Sequence, residues 1–154
     1  MIPRVWLMKT EPDTFGIADL ERVRVEPWTG VRNFQARNFM RDEMKVGDLV
    51  LFYHSNAEPS GVAGVGTIVK AAEADPTQFD ARSEYFDASS KKDAPTWLMV
   101  TVGFVRRFPE VIPLAALKAD PKLKGMGVLQ KGQRLSVMPV SKEHFERVLA
   151  LAGD

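Results

Sequence analysis

The side chains best suited to chemistry lie between Trp28 and Asn56, in the stretch WTGVRNFQARNFMRDEMKVGDLVLFYHSN. A tryptophan beside a glycine turn precedes Asn33, Gln35 and Asn38, and the stretch ends in Tyr53, His54, Ser55 and Asn56. These groups suit recognition of a flat polar ligand such as a nucleobase. An indole face stacks on a base, worth roughly 1 to 3 kcal/mol. Asn and Gln each offer a donor and an acceptor at one end, as a base edge requires. The N–H groups of a helix's first turn favour a phosphate or a carbonyl.

Groups for bond-making are sparse. There are no cysteines, which excludes disulfides, thiolate ligands and a cysteine nucleophile. His54 and His144 stand far apart, with no H-x-x-x-H and no carboxylate cluster at ligand spacing, so no metal and no cofactor is expected. His54 beside Ser55 is not a triad, because adjacent strand residues point to opposite faces. Neither a G-x-S-x-G elbow nor a phosphate-binding glycine loop occurs. A nucleobase-processing enzyme is the minor alternative, with Glu11, Asp13 or Asp48 as its acid or base.

The elements that must position these groups follow from hydrophobic pattern. Val5 to Met8 reads as a strand, ended at Lys9-Thr10-Glu11-Pro12. Asp13 and Thr14 suit the cap of a short helix through Ile17 and Leu20. Ala36, Phe39 and Met40 give the i, i+3, i+4 stripe of a helix, with Arg37 and Arg41 one turn apart on another face. Leu49 to Tyr53 is the strongest strand. Gly61 to Val69 alternates as a strand whose glycines mark a bend, a bulge or a close approach. Residues 75–95 form a long loop holding Tyr85 and Phe86, of a length that is usually functional or mobile. Trp97 to Val105 alternates again, Leu114 to Ala119 suggests a helix, Leu135 to Val140 a strand, and Ser141 caps a last helix carrying Phe145, Val148, Leu149 and Ala152.

Several residues suit two roles. Trp28 sits in a Pro27-Thr29-Gly30 turn, which favours a pocket over the core, whereas Trp6 and Trp97 lie at apolar strands and are assigned to the core. Tyr53, at a strand end, fits pocket and packing alike, and Asn33 and Ser136 fit the capping of backbone groups as well as a pocket.

At 154 residues and 45% hydrophobic, the chain is the length of one domain, spanning 1–154. No apolar run approaches the roughly 18 residues of a membrane span, and no secretory signal pattern is present, so a cytoplasmic protein is expected. A net charge of +1 argues against a grip on nucleic acid by bulk charge alone. The charge is unevenly spread. Lys118, Lys122, Lys124, Lys131 and Arg134 face only Asp120 in their stretch, while 73–93 carries six acidic against three basic residues. Strands with one or two helical segments between them predict an α+β domain, a small mostly antiparallel β-barrel flanked by helices.

Five blocks in order, WLMKTEP, WTGVRNFQARNFMRD, KVGDLVLFYHS, GVAGVGTIV and RLSVMPV, resemble the EVE domain family, a PUA-like fold related to the YTH readers of methylated adenine. The resemblance covers about Trp6 to Leu149. It implies a non-catalytic module that takes a modified base, a modified cytosine in DNA or a modified base in RNA, into a pocket. Carried over residue by residue, the base pocket would comprise Trp28, Gly30, Val31, Asn33, Lys9, Thr10, Tyr53, Ser55, Asn56, Arg134 and Ser136. Arg32, Arg37, Arg41 and Lys131 are then expected to contact phosphates. Thr10 stands where the family more often has serine, and Phe34 where tyrosine is frequent, which removes a phenolic donor. The implied partner is nucleic acid bound by a monomer. A sequence-independent RNA-binding module using Lys118 to Arg134 is the other alternative.

Overall fold

The computed structural model describes residues 3–153; Met1, Ile2 and Asp154 of the expected 1–154 domain lie outside the described residues. The sheet strands are β1 (Val5–Thr10), β2 (Val25–Pro27), β3 (Leu49–His54), β4 (Gly61–Ala74), β5 (Leu98–Pro113) and β6 (Val137–Val140). The helices are α1 (Pro12–Phe15), α2 (Ile17–Val23), α3 (Phe34–Asp42), α4 (Leu114–Ala119) and α5 (Lys142–Leu151), with single 3-10 turns at 76–79, 121–123 and 127–129. The α+β class is as expected.

The strand order is β2-β5-β4-β3-β1-β6, with β1 and β3 parallel and every other pair antiparallel. The sheet is mostly antiparallel, as expected, and the pairings do not show it closing into the expected barrel. The pairings show a six-stranded mixed sheet whose ends, β2 and β6, do not pair with each other among the described residues. Curvature is concentrated between β4 and β5, where the register shifts four times. The glycines of β4 mark the close approach there: a Cβ on Gly64 would meet the Arg106 carbonyl oxygen at 2.4 Å, and one on Gly66 the Gly103 carbonyl oxygen at 2.8 Å. Both strands run on past their expected ends, to Ala74 and Pro113.

Central β1 and β3 are buried on both faces, which explains their unbroken apolar runs. Trp6, Met8, Val50 and Phe52 pack on one face with Ile17, Leu20, Ala36 and Met40 of α2 and α3. Val5, Leu7, Leu51 and Tyr53 pack on the other with Leu117 of α4 and Phe145 and Val148 of α5. Asp48 ties the strand starts together, accepting from the Trp6 indole at 3.0 Å, the Lys45 amide at 3.0 Å and the Arg4 amide at 3.2 Å.

The single helix expected through Ile17 and Leu20 is two, broken at Gly16. Pro12 starts α1 from an N-cap at Glu11, and the Asp19 carboxylate reaches back to the Gly16 amide at 2.7 Å to start α2. Ser141 caps α5 as expected, its hydroxyl accepting from the His144 amide at 3.1 Å.

Candidate nucleic-acid interface

Asn33 builds the start of α3. Its side-chain oxygen accepts from the Ala36 amide at 3.0 Å, the capping role its position also suited, and leaves the amide N–H groups out of that bond. Trp28 packs into the adjoining core. The Trp28 amide donates to the Val100 carbonyl at 2.8 Å, and the ring, 7% exposed, meets Phe15 and Phe52 edge-on at 6.4 and 5.5 Å. It is a wall of the core beneath the turn rather than an open stacking platform. Val31 is buried in the same cluster.

The turn between them is held by a loop distant in sequence. Buried Asp75 accepts from the Gly30 amide at 2.8 Å and from Arg32 at 3.0 Å through one oxygen, and from the Thr77 amide at 2.8 Å through the other. Burial opposes the charge on Asp75, but the hydrogen bonds from Thr77, Gly30 and Arg32 together hold its carboxyl below the usual range. Arg32 donates twice to the Tyr85 carbonyl, at 2.8 and 3.1 Å, and to Thr77, Asp75 and the Val31 carbonyl. These bonds use all five guanidinium donors and clamp the turn to the loop. Its guanidinium also lies over the Tyr85 and Trp97 rings at 5.5 and 5.4 Å. Trp97 is buried, as expected.

Tyr85, from the long loop singled out in the sequence but not among the expected pocket residues, reaches the same turn. It is half-buried over Gly30, whose φ is +87°, and a Cβ there would stand 2.7 Å from the phenol ring. Burial, with Glu84 adding to it, pushes the phenol pKa up, so Tyr85 stays a neutral donor. The only sign in the sequence is an aromatic pair inside the long polar loop. Phe34, 58% exposed, lies at 4.8 Å from Trp97.

The rest of the expected pocket is divided by the sheet. Successive strand residues face opposite sides, so Thr10 and His54 lie on the Trp28 face while their neighbours Lys9 and Tyr53 lie on the other. Thr10 donates to the Phe15 carbonyl at 2.9 Å, and its own carbonyl accepts from the Ser55 amide at 2.8 Å and hydroxyl at 3.3 Å. The Asn56 amide donates to Glu11 at 2.6 Å, and Glu11 lies near enough to Tyr85 for its charge to act on the phenol. Through Phe15 and Glu11 this strand end joins the Trp28 turn. His54, beside a hollow of about 580 Å³ lined by Pro12, Asp13, Asn56, Glu58, Pro59 and Val111, accepts the Ile17 amide on Nε2 at 3.1 Å.

On the opposite face, Lys9 and Tyr53 open on a second hollow, of about 540 Å³, shared with Lys131. Arg134 is exposed nearby in sequence, and Ser136 contributes its carbonyl to the Lys9 amide at 2.8 Å. Arg37 donates to the Thr96 carbonyl at 3.0 Å and to Asn38, while Arg41 is matched by Asp42 at 2.7 and 2.8 Å. Of the expected base-pocket residues, Trp28 and Val31 thus lie on one face of the sheet and Lys9 and Tyr53 on the other.

Comparison with known proteins bears on this arrangement. The family model of the EVE domain matches residues 4–151. Thymocyte nuclear protein 1 of Danio rerio is 46% identical over 168 residues, covering 97% of this chain and 72% of its own length. A hypothetical protein from Leishmania major superposes with a TM-score of 0.93 at 44% identity, covering 98% of this chain and 95% of that one. The human THYN1 protein, solved in complex with 5-methylcytosine containing DNA, superposes with a TM-score of 0.90 at 44% identity over 98% of each chain.

Proposed function

This chain belongs to the EVE domain family, and on that premise we propose that it is a non-catalytic reader of a modified nucleobase, a modified cytosine in DNA foremost. The observation that carries the reading is the human homologue's complex with 5-methylcytosine DNA, matched here over 98% of the chain. The local geometry supports a base seat at the Gly30 turn. Gly30 and Arg32 are fixed by Asp75, which holds the turn in one conformation before any ligand arrives. Tyr85 supplies the aromatic face beside Gly30, with Thr10, Ser55 and Asn56 at the adjoining strand end. With Trp28 in the core, Tyr85 takes over the stacking role.

Binding the base there means extruding it from its strand, which costs a few kcal/mol in a duplex and less in a single strand. Weak binding with a preference for the modified base is the expected signature. The test is affinity for matched oligonucleotides differing only in 5-methylation of one cytosine. The reading expects tighter binding of the methylated strand; equal affinities for methylated and plain strands, across DNA and RNA versions, would dismiss it.

A further inference from the structure

The hollow on the face opposite Trp28 has a chemistry of its own. Lys9 and Tyr53 are register partners on the parallel strands β1 and β3, Lys118 comes from α4, and Gln130 to Gln133 come from the turn after the 3-10 segment 127–129. Four separate elements thus bring three ammonium groups and a phenol around about 540 Å³, and among the described residues no carboxylate lines the space. Among the described residues, none of Lys9, Lys118 and Lys131 makes an ion pair. Tyr53 is 4% exposed, with the Lys9 ammonium 5.9 Å from its ring centre, yet among the described residues its hydroxyl has no hydrogen-bond partner and it is not sealed off from solvent. Val128, Leu129 and Leu114 floor the site.

We propose that this hollow is a phosphate subsite, in which Lys9, Lys118, Lys131 and the Tyr53 hydroxyl hold the oxygens of a phosphoryl group. The groups present are donors lacking acceptors, and a phosphate supplies several acceptor oxygens and the missing negative charge. Burial already depresses the Lys9 ammonium pKa, with no carboxylate beside it to offset that cost. The assignment deepens the reading of the chain as a nucleic-acid binder and rests on it for one point only, that the phosphate belongs to a nucleic-acid backbone. The same chemistry would take the phosphate of a free mononucleotide.

The test compares wild type with the Lys118→Gln/Lys131→Gln protein. Both side chains are exposed, so the fold tolerates the change, and Lys118→Arg/Lys131→Arg serves as the charge-preserving control. Affinity for plain and 5-methylcytosine oligonucleotides is measured across a salt series. The glutamine variant is expected to lose roughly fivefold to tenfold per lysine at about 0.1 M salt, equally for both strands, and to reduce the salt slope by about one per lysine. The arginine variant should restore both. If oligonucleotide binding is unchanged but CMP or inorganic phosphate perturbs the Lys9 and Tyr53 resonances in wild type and not in the glutamine variant, the site holds and the source is a free phosphate. Absence of both effects overturns the subsite, as does loss of methyl preference with an unchanged salt slope. A wild type without methyl preference would instead defeat the base-reading assignment, and the slopes would still decide the subsite.

Discussion

The carboxyl ends of β1 and β3 carry different chemistry on the two faces of one sheet. On the Trp28 face, nearly every polar group is committed: Arg32 spends all five donors, Asp75 and Asn33 hold backbone amides, and Asn56 is bound to Glu11. On the Lys9 face, three lysines without ion pairs and a phenol stand around a hollow that no carboxylate lines among the described residues. The contrast separates two tasks that nucleic-acid binders combine. A rigid, prepaired turn suits discrimination between bases that differ by one methyl group, while loose cations suit a backbone common to every sequence.

Breaking the first face should have the largest consequence. Asp75→Ala removes the carboxylate from a buried pair and leaves the Arg32 guanidinium and the Gly30 amide without it, which is expected to cost about 3 to 5 kcal/mol in stability. Denaturant melts of wild type and variant check this. A loss near zero would show that the turn does not depend on the loop at 75–97.

Replacing Tyr85 by Ala sharpens the comparison without unfolding the protein. The ring is half-buried, so the expected effect falls on recognition: a loss of affinity up to the roughly 1 to 3 kcal/mol of one base stack, and with the base no longer seated, loss of the methyl preference. Stability should change far less than in Asp75→Ala, as a thermal melt would reveal.

A smaller effect is expected from pH. His54 accepts a hydrogen bond from Ile17 and must be unprotonated on Nε2; burial lowers its pKa from the ordinary 6.5, with the charge of Arg107 adding to this. The unfolded chain therefore binds a proton at a higher pH than the folded one. Stability is full above about pH 6.5 and falls as pH drops from there toward the folded value. Melting temperatures at pH 7.5 and 5.5 should differ in that direction, and His54→Gln should reduce the difference.

Much of this fold was legible in the sequence because local signals governed it. The apolar runs of β1 and β3, the stripe Ala36-Phe39-Met40 of α3, the short α4 and the Ser141 cap of α5 all came from spacing or capping chemistry. The strand order and the bulges were not legible, because they depend on long-range pairing that periodicity does not encode. The site was legible in part. Strand alternation, which ruled out a His54–Ser55 triad, equally divides Lys9 from Thr10, and the ordered blocks gave no hint that they would be split across the sheet. The clamp of Arg32 on Asp75 joins positions 43 residues apart, and in sequence Asp75 looked like one more charge on an acidic surface. Tyr85 acquires meaning only once that clamp lays its loop over Gly30.

The most direct test of this division of labour is the ratio of affinities for 5-methylcytosine and plain oligonucleotides, followed in wild type and Tyr85→Ala at low and high salt. The account predicts that wild-type affinities fall together with salt while their ratio persists, and that Tyr85→Ala brings the ratio to one at both salts. A wild-type ratio that vanishes at high salt, or one that survives the loss of Tyr85, would contradict it.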